Sequence, residues 1–202
     1  MPTEASEIIH YWLGTEQNSV DDMKRQWKLW YDASDDTDNT IRARFGTALA
    51  AAEAGKLVSW QSTAEGSLAL VILLDQFSRN LFRSTPEAYR NDDQALAIAE
   101  HAVITGQHLE LSIPGRVMLY HPYHHAEDTV MQEKAVQLFS ELKTSSPTEW
   151  EAELENHLKF VRSHAALVGT YGRFPHRNQV LGRVSTEEEK AYLDKDKRTY
   201  GQ

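Results

Sequence analysis

The sequence predicts an all-α fold, an antiparallel array of helices, on three observations. Apolar residues recur at three-to-four spacing along almost the whole chain. The period-two alternation bounded by hairpin turn signals that would mark strands is missing. Glycines and capping residues fall where such helices would have to start and stop.

Element by element, Glu4 to Leu13 and Val20 to Tyr31 read as the first two helices. Asp38 to Ala54 is alanine-rich and runs into Gly55, where a left-handed C-terminal residue is wanted and glycine pays no Cβ penalty. Ala64 to Phe82 is apolar on nearly all sides through Leu68, Leu70, Val71, Ile72, Leu73 and Leu74, so it packs against several neighbours. Asp92 to Thr105 has a glycine stop at Gly106 and a small-residue face in Ala95, Ala97, Ala99 and Ala102. Pro114 to Tyr120 and His124 to Lys143 follow. Thr148 to Tyr171 and Thr186 to Asp194 are assigned capping boxes, Thr148 with Glu151 and Ser185 with Glu188. Short connections make neighbouring helices antiparallel pairs, a tetratricopeptide-like layout without a clean 34-residue repeat.

With 202 residues and no linker-like stretch, the expectation is one domain over residues 1–202. The longest apolar run, Leu68 to Leu74, is far short of the roughly 18 residues that span a bilayer. The opening residues lack a basic region ahead of an apolar stretch. Cysteine is absent, which removes disulfides, thiol nucleophiles and thiolate metal sites. A cytoplasmic location and no membrane partner are therefore expected. A net charge of -9 and a pI near 5.5 argue against nucleic acid as a partner. Between Asn156 and Thr186 there is no Asp or Glu, while Lys159, Arg162, Arg173, Arg177 and Arg183 fall there. That stretch is either a set of solvated helix faces or a local anion-attracting surface.

Three constellations could carry chemistry. Asp75, Arg79 and Arg83 stand at i, i+4 and i+8 on the most apolar helix, with Asn80 adjacent. They form either a structural ion pair or a site in which Asp75 orients Arg79 and Arg83 meets a ligand carboxylate or phosphate. The run His121-Pro-Tyr-His124-His125-Ala-Glu127-Asp128 has metal-like i, i+4 spacings, but Pro122 interrupts it and the zinc-peptidase orders are missing. Glu7-x-x-His10 is half of a di-iron motif whose other parts are lacking. No metal and no cofactor are indicated. Glu127 and Asp128 suit the first turn of a helix, and His125 suits proton transfer near neutral pH. Third, Gly172 and Pro175 place Arg173, His176, Arg177 and Asn178 on a turn followed by Arg183, where donors either cap helix ends or converge on a ligand. No nucleophile elbow, phosphate loop or dinucleotide fingerprint is present. Trp27, Trp30, Tyr31 and Phe45 could form a stacking platform, although their helical spacing favours a core role.

Leu74-Asp-Gln-Phe-Ser-Arg79-Asn-Leu-Phe-Arg83, His125-Ala-Glu127-Asp128 and Arg173-Phe-Pro-His-Arg-Asn178 with Leu181-Gly-Arg183 together resemble one bacterial family, catalogued as domain of unknown function 924. The likeness runs from about Ile8 to Leu193. It implies a tetratricopeptide-like helical fold and no particular activity. The chain departs from the pattern at Ser78, usually Pro, and at His121 and His124, typically apolar. His125, Glu127 and Asp128 match.

Two functional readings follow, with a third beside them. In the first, a binding module holds an anionic small molecule or a peptide carboxylate in a groove of Arg79, Asn80, Arg83, Arg173, His176, Arg177 and Asn178, with Glu127, Asp128 and Arg183 alongside. In the second, an enzyme uses His125 or His176 as proton carrier, oriented by Asp75 or Asp128, on an anionic substrate. A protein-interaction scaffold is the third. A pocket holding His125 within hydrogen-bond reach of a carboxylate would favour the enzyme.

Overall fold

The computed structural model describes residues 3–32 and 34–195, and among these every regular element is helical. The α-helices are α1 (Ala5–Leu13), α2 (Val20–Arg25), α3 (Trp27–Tyr31), α4 (Asp35–Glu53), α5 (Ala64–Val71), α6 (Ser78–Leu81), α7 (Asp92–Ile104), α8 (Ile113–Leu119), α9 (His121–His125), α10 (Thr129–Ser145), α11 (Glu151–Tyr171) and α12 (Glu187–Lys195). A π-helical turn, Ile72–Phe77, links α5 to α6. No helix among the described residues is long and apolar enough to cross a membrane.

The apolar run at the end of α5 dictates the middle of the fold. Leu68 to Leu74 are wholly buried, and Phe77 stacks on Phe45 of α4 at 5.2 Å and meets Trp12 of α1 edge-on at 5.3 Å. The start of α5 is fixed by Thr63, whose Oγ1 accepts the Gly66 N–H, and by Gly66 itself. A Cβ there would lie 2.0 Å from the Trp60 carbonyl oxygen, so only glycine lets the preceding turn approach. Ala95, Ala99 and Ala102 bring α7 close to α5, while Ala97 faces outward. Helices α10 and α11, joined by a short 3₁₀ connection, form the most extensive helix pair. A small second cluster of Leu167, Val168 and Phe174, with Tyr171 and Tyr192, holds α12 to the end of α11.

Several boundaries differ from expectation. The predicted helix Val20 to Tyr31 breaks at Gln26 into α2 and α3. The predicted helix from His124 does not form as one piece. Pro122 sits in the first turn of α9, where its missing N–H costs nothing, and a separate α10 starts after Asp128, whose Oδ1 accepts the Met131 N–H at 2.9 Å. The last capping box lies one residue along from Ser185 and Glu188, at Thr186 and Glu189, with reciprocal bonds of 3.2 and 2.8 Å. Thr148 belongs to a 3₁₀ turn instead of capping α11. Gly55 and Gly106 take the expected left-handed conformation, at φ 70° and 79°.

Candidate functional site

The π-turn puts Asp75 in the wholly buried centre of the protein, where an ionised carboxylate persists only if its lone pairs are taken. They are. Oδ1 accepts from Arg79 Nη1 at 2.8 Å and faces His125 Nδ1 at 2.7 Å, and Oδ2 accepts from Gln76 Nε2 at 2.5 Å. Arg79 also donates to the Asp75 carbonyl and forks onto Asp92 with two 3.0 Å bonds. Asp92 in turn lies 3.6 Å from Arg177, whose guanidinium rests over the rings of Tyr89 and Phe174. A chain of alternating charge therefore runs inward from Arg177 through Asp92 and Arg79 to Asp75, which meets His125.

Around His125 gather three further imidazoles. His124 lies 4.5 Å from it between ring centroids and 5.1 Å from His164, and His121 lies 4.8 Å from His124. Burial pushes His121 down to about 4 and His164 to about 3, and holds His124 well below the usual imidazole range. His125 is likewise held well below that range, by burial first and then by the Arg79 charge. Its imidazole is thus neutral at pH 7. Facing a carboxylate, Nδ1 carries the proton, and Nε2 is left as a base. Both ring nitrogens of His124 lack a hydrogen-bond partner among the described residues.

A cavity of about 500 Å³ opens over this group. Gln76, Arg79, Asn80, Arg83 and the His121, His124 and His125 rings form its floor. Its walls come from two helix faces, Trp27, Trp30 and Tyr31 on α3, and Glu153, Asn156, His157 and Phe160 on α11. On the far side of His125 lies a second cavity, of about 590 Å³, bordered by Tyr89, Asp92, Glu127, Asp128 and Arg177. His125 borders both.

Asp75, Arg79 and His125 come together, Arg177 joins them through Asp92, Asn80 and Arg83 line the same cavity while bonded to Asp38, and the remaining predicted site residues lie elsewhere. Arg83 leaves the expected stripe, because α6 ends at Leu81, and pairs with Asp38 through Nε at 2.8 Å. Asn80 donates to the same carboxylate at 2.9 Å. The donors of the C-terminal turn diverge instead of converging. Arg173 clamps Glu189 at 2.6 and 2.8 Å and, by donating to it, pulls that carboxyl down to about 2. Asn178 donates to Ser185 and Glu189. Arg183 clamps Glu127 at 2.5 and 2.9 Å, and Glu127 also accepts the Phe174 N–H at 2.8 Å. These bonds outweigh burial and keep Glu127 low. Asp128 caps α10. His176 lies tilted against Phe174, ring centroids 5.5 Å apart, and does not line the first cavity. The acid-poor stretch thus recruits its carboxylates from elsewhere in the chain.

Of the cavity walls, the α3 aromatics stood in the sequence only as the less favoured stacking-platform alternative, and the α11 residues were missed. Trp27, Trp30 and Tyr31, expected in the core, line the cavity together, and only Phe45 of that group is core. Their i, i+3, i+4 spacing, repeated by Glu153, Asn156, His157 and Phe160, was the available signal.

The chain matches the model of a family described as bacterial protein of unknown function, DUF924, over residues 8–197. No curated protein is similar to it. The solved structure of a protein of unknown function, ATU0120 from Agrobacterium tumefaciens, is 35% identical, covers 95% of this chain and 97% of its own, and superposes with a TM-score of 0.80.

Proposed function

The chain belongs to the bacterial family DUF924, whose description names no activity, and from its own geometry we propose that it is an enzyme using His125 as a general base. The observation that carries this is the 2.7 Å contact between His125 Nδ1 and the buried Asp75 carboxylate at the floor of a cavity large enough for a small organic substrate.

In this reading Asp75 fixes the imidazole tautomer and stabilises the imidazolium formed when Nε2 takes a proton. Arg79 holds Asp75 in place, and Asp92 and Arg177 hold Arg79. Among the described residues no serine, threonine or cysteine lines the cavity, so in this reading the proton comes from a bound water or from an acidic position of the substrate. Gln76 and Asn80 each spend one amide N–H on a carboxylate and keep a second, which is available to charge that develops on the substrate. The arginines weigh against an anion-holding groove, since Arg79, Arg83, Arg173 and Arg183 already face carboxylates inside the protein.

The test is a turnover screen of small esters, amides and amines with wild type, His125→Ala and Asp75→Asn. Activity should fall by about 10² to 10⁴ in His125→Ala. Loss of the correct tautomer should cost Asp75→Asn a comparable factor. Turnover that survives intact in His125→Ala, or none across the panel, refutes the assignment.

A further inference from the structure

We propose that the mouth of the first cavity is a subsite for a protonated amine, so that the ligand is an organic cation with an apolar or aromatic body. The inference rests on the enzyme reading only for the statement that this ligand is the substrate.

Glu153 stands on the face of α11 that borders the cavity. Its side chain is 6% exposed, and no described residue donates a hydrogen bond to its carboxylate. Its nearest basic neighbour, His157 Nε2, lies 3.4 Å away and forms no hydrogen bond with it. A buried carboxylate left in that condition is costly unless something entering the cavity completes it.

The charges around the cavity say what that something is. Arg79 and Arg83 are offset by Asp75 and Asp38, and Asp92 by Arg177. Among the described residues lining the cavity, Glu153 is the carboxylate that no arginine or lysine meets, its one basic neighbour being His157 at 3.4 Å. An anion would be repelled there and a neutral ligand would leave the carboxylate unmet. An ammonium donates charge-assisted hydrogen bonds to it.

The surroundings suit a cation too. Trp27, Trp30, Tyr31 and Phe160 line the same cavity, and aromatic faces attract cations when water is displaced. Tyr31 and Phe160, 56% and 41% exposed, mark the opening. Lys24 Nζ sits 5.7 Å from the Trp27 ring centroid without lining the cavity. Glu153 and Phe160 share the α11 face, seven residues and so about two turns apart.

The experiment compares binding of phenethylamine, phenethyl alcohol and 3-phenylpropionate by isothermal titration calorimetry at neutral pH. Wild type should bind the amine at least about tenfold more tightly than the alcohol or the acid. Glu153→Gln should lose about tenfold for the amine and little for the alcohol, and Tyr31→Leu, at the exposed mouth, roughly threefold. Circular dichroism melting establishes that each variant is folded. His125→Ala should keep the amine affinity, which separates this subsite from the catalytic reading: a cation site without turnover leaves the subsite standing and sinks only the enzyme. Equal affinity for the three probes, an unchanged Glu153→Gln, or no amine binding at about 10 mM overturns the inference.

Discussion

Acidification offers the sharpest test of the buried histidine group. His121, His124, His125 and His164 are all held below the ordinary imidazole value in the folded chain, chiefly by burial. On unfolding, each returns to about 6.5. The unfolded state therefore takes up protons first. Stability is complete above about pH 6.5 and falls as the pH drops from there towards the folded-state values. Between pH 7.5 and 5 one such imidazole costs RT ln[(1 + 10^1.5)/(1 + 10^−1)], about 2 kcal/mol, so four cost about 8 kcal/mol at most. That rivals the whole stability of a typical domain, about 5–15 kcal/mol, and predicts acid unfolding near pH 5. Glu127 and Glu189 are lowered carboxylates whose loss begins only below about pH 4.5, outside this window. Asp92, raised by burial, acts in the opposite sense and offsets part of the effect. The assay is urea denaturation at the two pH values. His124→Phe, which exchanges two unpartnered ring nitrogens for an apolar ring, should remove about 2 kcal/mol of the difference. A total difference below about 2 kcal/mol, or an undiminished one in His124→Phe, refutes the reasoning.

Three further outcomes are expected. Asp75→Asn weakens the hold on Arg79 inside the core and should cost about 3–5 kcal/mol in denaturant titrations, beyond its effect on turnover. Gly66→Ala drives a methyl group into the Trp60 carbonyl and should cost about 1–3 kcal/mol by the same measurement, or more if the turn cannot shift. Arg183→Ala frees Glu127 from its clamp and should lower thermal stability by about 1–3 kcal/mol, with a visible drop in melting temperature.

Local periodicity made the helices readable, and it also made Asp75 and Arg79 partners, since an i, i+4 pair needs no knowledge of the rest of the chain. Glycine stops were legible for the same reason. Distance in sequence hid the remainder. Arg83 lies 45 residues from Asp38 and Arg183 lies 56 from Glu127, and the 50 residues between His125 and Asp75 left their pairing as one alternative among several. An arginine whose carboxylate arrives from another helix reads in sequence as unspent, which is why the C-terminal turn suggested an anion site. The cavity walls were hidden by chemistry instead. Aromatic residues at helical spacing look alike whether they meet a core or a ligand, and the broken helix at Gln26 decides between them.

The π-turn at Ile72–Phe77 has a consequence for how this chain tolerates change in length. A π-turn holds an extra residue relative to regular α-helix, and each residue of an α-helix advances the direction of its neighbours by about 100°. Removing one residue there would regularise the helix and swing Arg79 and Asn80 by roughly that angle, away from Asp92 and Asp38. Local helix propensity would improve while the charge chain came apart. Homologous chains that keep this chemistry should therefore vary in the surface connections and hold the count of residues between Asp75 and Arg79 fixed.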